Sequence, residues 1–154
     1  MGKRKPTRKT LIKKLDTIFS KYIRLRDKYC VLCGSPDNAN CGHLFSRRHY
    51  STRWDDNNCH QQCYPCNFKH NHQPYHYHKW YIEKFGKEKL DELHTKHLQS
   101  QKYSNTDLEE LYKEIKAFWE GLSYSKHNHE EKISIVKKRY FASYELITRI
   151  IYNK

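Results

Sequence analysis

Between Thr10 and Lys28 the apolar residues Leu11, Leu15, Ile18, Phe19, Tyr22, Ile23 and Leu25 recur mostly at three- and four-residue steps. That is the period of an amphipathic helix, and lysines and arginines fill its other face. The apolar face is suited to packing and the basic face to following a phosphate backbone. Ahead of it, residues 1–9 are basic with no apolar run, which predicts an arm. The helical period is missing from 30–70, the region that holds every cysteine. Within it "CGSPDNANCGH" (33–43) is rich in turn formers, and short strands are expected on either side.

Helical character returns from about Gln73. "YHYHKWYIEKFG" (75–86) predicts a helix with Gly86 as its C-cap, and a charged helix follows. In "NTDLEELYKEIKAFWEGL" (105–122), Thr106 and Glu109 read as a capping box. Behind them Leu108, Leu111, Tyr112, Ile115, Phe118 and Trp119 line one face. A last helix is expected in 130–154, although β-branched residues weaken its propensity. The expected organisation is a basic arm and amphipathic helix (1–29), a cysteine-bearing core (30–86) and a helical C-terminal region (87–154). The fold class is α+β.

Composition changes this picture in two ways. Hydrophobic residues make up only 36 % of 154, a thin core for the length, so a structural metal would help the fold. Thirty Lys+Arg against 17 Asp+Glu give a formal charge of +13, which predicts a nucleic-acid partner. Thirteen tyrosines can close a small core with a polar tip, or stack on bases. No apolar run reaches transmembrane length and no signal peptide is evident, so a cytoplasmic protein with no membrane partner is expected.

Cys30-x-x-Cys33 and Cys63-x-x-Cys66 can supply four thiolates to one tetrahedral Zn2+. The two pairs and the expected compartment favour zinc over disulfides. Twenty-nine residues separate Cys33 from Cys63, so the intervening loop must carry structure of its own. Cys41 and Cys59 are left over and read as small buried hydrophobes.

Inside and just after that loop stand His43 in "NCGHLF", Asn58 in "WDDNNCHQQC", and Asn67 directly after Cys66. A histidine, an asparagine five residues before a Cys-x-x-Cys pair, and an asparagine after that pair resemble the HNH (ββα-metal, His-Me finger) endonucleases with a four-cysteine zinc site. Within them, "CGHLFSRRHYSTRWDDNNCHQQCYPCN" is similar to the phage NinG/Rap recombination endonuclease family, from about Cys30 to Gly86 and more loosely to Trp119. The asparagine after the last cysteine also resembles phage junction-resolving endonuclease VII. The resemblance implies a zinc-stapled ββα-metal core in mostly helical extensions. It implies metal-dependent hydrolysis of DNA, with branched recombination intermediates such as D-loops or Holliday junctions as substrates. It further implies a phage origin, hence the host cytoplasm, with recombination proteins as partners; resolving a junction symmetrically would call for a homodimer.

By the same resemblance His43 is the general base, near-neutral in pKa by residue type. Asn58 orients its ring or pins the loop, and Asn67 offers its carbonyl oxygen to a catalytic Mg2+ or Mn2+. Many HNH enzymes carry Asp or His just before the base, where this chain has Gly42. Asp55, Asp56, His49, His60 or His70 could replace that ligand, or His43 could itself bind the metal. Arg47, Arg48 and Arg53 are suited to phosphate contacts. Tyr75, Tyr77, Trp80 and Tyr81 read as helix core, Trp54 as either core or platform, and the histidines of "HNHQPYHYH" (70–78) as surface or DNA-facing. The alternatives are a non-catalytic zinc-finger protein that binds DNA or RNA, and a sequence-specific homing or restriction HNH nuclease.

Overall fold

The computed structural model describes residues 5–124, so the expected helix at 130–154 lies outside the described residues. The architecture is α+β: six helices and one two-stranded antiparallel sheet among the described residues. In chain order these are α1 (Arg8–Asp27), β1 (Ala39–His43), α2 (Tyr50–Arg53), β2 (Cys59–Cys63), α3 (Tyr64–His72), α4 (Tyr75–Phe85), α5 (Lys87–Leu98) and α6 (Asn105–Tyr124). The described chain divides into two compact units, Phe19–Ser104 and a second that joins residues 5–18 to residues 105–124.

The first unit is organised around the β1–β2 pair. Its register sets Ala39 opposite Cys63, Cys41 opposite Gln61 and His43 opposite Cys59. Every residue of β2 is buried although the strand reads Cys-His-Gln-Gln-Cys. The outer edge of β2 is closed by the end of α1 and the turn after it. Arg26 donates to the carbonyl of Cys59 at 2.7 Å, the Gln61 amide donates to Asp27 at 2.7 Å, and the Val31 amide donates to the Gln61 carbonyl at 2.9 Å. A short strand with a satisfied edge is protected from further pairing.

Below the hairpin, Leu44, Tyr77, Tyr81 and Leu93 form a buried core, with Val31, Leu32, Phe45, Trp80 and Leu90 packed against it. Gly86 separates α4 from α5 at φ 89°, a left-handed backbone that glycine adopts without strain. In the second unit Leu11, Leu15 and Ile18 of α1 and Leu108 and Ile115 of α6 are buried. There the Lys14 ammonium lies 5.5 Å from the centre of the Tyr112 ring.

Four expectations need correcting. No strand precedes the turn-rich stretch; β1 is its C-terminal end, and β2 pairs with it across the loop. Residues 30–34 cannot extend because Gly34 donates to the Cys30 carbonyl and Cys30 to the Ser35 carbonyl, both at 2.8 Å, which curls the chain around its sulfurs. Helix α1 begins at Arg8, inside the expected arm, and α6 begins at Asn105, which puts Thr106 within the first turn rather than at the cap. Tyr75 is 68 % exposed, whereas Tyr77 and Tyr81 are core and Trp80 half-buried, as the helical face predicts.

Candidate functional site

The four sulfurs of Cys30, Cys33, Cys63 and Cys66 lie within 4.8 Å of one another, positioned to bind one metal ion. One pair comes from the tight turn after α1, the other from the end of β2 and the first turn of α3. Burial alone would raise the Cys30 thiol, but surrounding backbone hydrogen bonds outweigh it and bring its pKa to about 7. Burial and the neighbouring sulfurs of Cys63 and Cys33 push Cys66 well up. Four would-be anions this close suppress one another, and a divalent cation relieves that crowding. The donor set is the one structural zinc takes.

Strand alternation puts a second set of donors on the same face of the hairpin. Cys41 and His43 are two residues apart on β1, and Cys59 sits opposite His43 on β2. The two sulfurs and a ring nitrogen lie within 4.8 Å of one another. His43 Nε2 is 3.0 Å from the Arg53 carbonyl. A carbonyl can only accept, so Nε2 carries the proton and the lone pair of the neutral ring is on Nδ1.

Asn58 is fully buried and holds the loop that supplies that carbonyl. Its Oδ1 accepts from the Phe45 amide at 2.8 Å, and its Nδ2 donates to the carbonyls of Phe45 and Thr52, both at 3.0 Å. Of the two tasks expected for Asn58, the structure shows pinning of the loop; its amide bonds backbone, not the His43 ring. The other face of the hairpin explains Gly42. A Cβ there would stand 2.5 Å from Gln62 Oε1, and Gln62 is fully buried, so no side chain fits before His43 unless Gln62 moves.

The substitutes proposed for that missing ligand are mostly committed elsewhere. Asp55 is buried and accepts from Lys96 Nζ at 2.6 Å. Asp56 accepts from Tyr22 and faces Arg26. His60 points into the core, where Nδ1 meets the Tyr77 hydroxyl at 2.9 Å; burial, then Arg26, lower its pKa to about 3. His49 lies against His97, the rings tilted by 40° with centres 4.0 Å apart. His70 differs: its Nδ1 is buried with no hydrogen-bond partner among the described residues. Burial, then His78, lower its pKa, while backbone groups of Leu44 and His43 pull the other way. Asn67 is half-buried on the first turn of α3, one turn ahead of His70, on a helix that packs against both strands.

The arginines separate into two kinds. Arg47 and Arg48 are exposed on the turn after β1. Arg53 is half-buried, donates to the Arg47 carbonyl at 2.8 Å and lies over the Tyr50 and Trp54 rings, so it braces the loop. Trp54 is buried against Tyr50 and Tyr103, which makes it core rather than platform. Tyr64 and Phe68, stacked on α3, are two further exposed aromatics; their spacing of four on a helix is the sequence signal for the pair.

The model of the family described as "Bacteriophage Lambda NinG protein" matches residues 2–124. The chain belongs to the NinG family. No curated protein and no solved structure matches it. The NinG match spans all eight described elements, including α6, and stops short of 125–154. No described helix is long and apolar enough to cross a membrane. In this NinG chain Cys59 is a fully buried core residue, as expected for it, and Cys41 is half-buried; the two-residue step from Cys41 to His43 is the sequence signal that the three donors share a face.

Proposed function

We propose that this NinG-family chain is an HNH-type, metal-dependent DNA endonuclease with a structural zinc in its four-cysteine site, acting on branched recombination intermediates. The observation that carries the reading is the β1–β2–α3 unit with His43 at the strand end and its ring held by the Arg53 carbonyl. A ring locked in one tautomer presents Nδ1 to accept the proton of an attacking water, and positioned acid–base groups of this kind contribute roughly 10²–10⁴-fold. Asn58 supports the base at one remove, by holding the Thr52 carbonyl beside the residue that orients it.

A divalent cation in such a site supplies charge stabilisation at the phosphate and the leaving oxygen. Asn67 Oδ1 and His70 Nδ1, three residues apart on one face of α3, are the donors that fit it; an oxygen and an imidazole suit Mn2+ or Mg2+ with water completing the shell. Arg47 and Arg48 face solvent beside the loop and would take phosphates. Tyr64, Phe68 and Tyr75 expose ring faces suited to unpaired bases at a branch point. Cutting a four-way junction symmetrically requires two copies of the chain.

The test is nicking of supercoiled plasmid and of a synthetic four-way junction by wild type and His43→Ala, with Mg2+, Mn2+ or EDTA. Cutting that needs the cation and falls at least about 10²-fold in the variant, with DNA binding kept, is the expected result. Binding without cutting by the wild type under every metal, both as prepared and after brief chelation, would replace this reading with that of a zinc-dependent DNA-binding protein.

A further inference from the structure

We propose that Cys41, His43 and Cys59 form a second metal site, distinct from the four-cysteine site, that takes Zn2+ with three protein donors and a fourth position left to solvent. The donor atoms lie within 4.8 Å of one another, so a modest closure brings all three onto one ion. The donor types discriminate: thiolates and imidazole suit zinc and other soft or borderline cations, whereas Mg2+ and Ca2+ prefer oxygen. Uptake is balanced by loss of the two thiol protons to solvent as both sulfurs ligate.

Two features of the setting point to a ligand rather than to packing alone. The His43 Nε2–H donates to the Arg53 carbonyl, and metal-binding histidines characteristically donate their other ring N–H to such a group, which fixes ring and tautomer. The carbonyl is itself held in place, since Asn58 secures the adjoining Thr52 carbonyl. Cys59 is fully buried, while Cys41 and His43 are half-buried. Cys59 and Cys63 are four residues apart on one face of β2, which separates the two sites by about 13 Å along the strand. An ion here and a proton-accepting His43 exclude one another, so on the nuclease reading a zinc-loaded second site holds the enzyme silent. The metal count that tests the site does not depend on that reading.

The full chain would be saturated with Zn2+, passed through a desalting column and analysed for zinc and for thiols reactive after denaturation with chelator. Wild type should hold two zinc ions per chain with six thiols, and Cys41→Ser and Cys59→Ala one ion each. Cys41 is only half-buried, so its serine variant keeps the test open should Cys59→Ala fail to fold. With Co2+ as probe, the second equivalent should add about half the thiolate charge-transfer intensity of the first, from two sulfurs against four. One zinc ion in the wild type, two in a folded Cys41→Ser chain, or four thiols from a Cys41–Cys59 disulfide would each overturn the proposal.

Discussion

The two cysteine clusters each draw one sulfur from the same face of β2, Cys63 and Cys59, and are assembled by different rules. In the four-cysteine cluster each half is local: a Cys-x-x-Cys turn places two sulfurs together whatever the rest of the chain does, and the fold need only bring two such turns into range. In the Cys41–His43–Cys59 cluster no half is complete on its own. Strand alternation aligns the first two, and the third arrives only through the register that pairs His43 with Cys59. A one-residue slip of that register would turn Cys59 to the opposite face. The first cluster therefore helps to create the fold, and the second is created by it.

Breaking each cluster in turn is the sharpest way to test this difference, and the largest effect is expected at the first. Zinc binding to small metallo-domains carries about 10–16 kcal/mol of apparent folding free energy. Cys63→Ala should accordingly abolish the cooperative thermal transition of the Phe19–Ser104 unit, as followed by circular dichroism. Cys41→Ser should keep that transition; equal losses in the two variants would erase the distinction.

Next in size is the loop that frames the second cluster. Asn58→Ala removes the three hydrogen bonds of a fully buried side chain and should cost about 2–4 kcal/mol in urea unfolding, a range set by the penalty for orphaned partners. Asn58→Asp should be nearly as costly, because a carboxylate can accept from the Phe45 amide but cannot donate to either carbonyl. A change under about 0.5 kcal/mol for both would mean the loop is held by something else.

The back of the hairpin offers a smaller and more specific test. Gly42→Ala drives a methyl toward Gln62 and should cost about 1–3 kcal/mol, the usual range for overpacking. Gln62→Ala in the same chain should recover much of that loss, a non-additivity that a double-mutant cycle measures directly. Additive losses would show that the Gln62 side chain is not what excludes a residue before His43.

The smallest effects belong to the arginines. Arg47→Ala and Arg48→Ala should each lower the slope of log affinity for DNA against log salt by about 0.9, the value for one phosphate contact. Arg53→Ala should instead lower stability, by about 1 kcal/mol or less, as its guanidinium braces loop and rings. Anisotropy titrations across a salt series, beside urea melts, separate the two behaviours.

Several elements were legible in the chain because their causes are local. The apolar period of α1, the Gly86 stop after α4 and the two Cys-x-x-Cys turns depend on neighbours within a few residues. The order His43, Asn58, Asn67 was equally visible, and it led to the family. What each of these side chains touches was not. Asp55 and Asp56 were reasonable metal ligands until Lys96, Tyr22 and Arg26 were found beside them. His60 was one of five equivalent substitutes until strand register turned it into a cage of aromatic rings, which leaves His70 with the uncommitted buried nitrogen. The burial of Trp54 and the exposure of Tyr75 have no local signal either, since burial depends on what returns from elsewhere in the chain.

The amino-acid sequence by itself determined the α+β class, most of the helices, the four-thiol metal site and membership of the NinG family. Each rests on short-range periodicity, on fixed ligand spacing or on an ordered motif. The tertiary structure alone decided which face of the hairpin each residue occupies, that Gln62 leaves no room before His43, and that Cys41, His43 and Cys59 meet. Those facts follow from a register between segments sixteen and more residues apart. Such a register is set by the packing of both strands and the capping of the β2 edge, and it leaves no local trace in the chain.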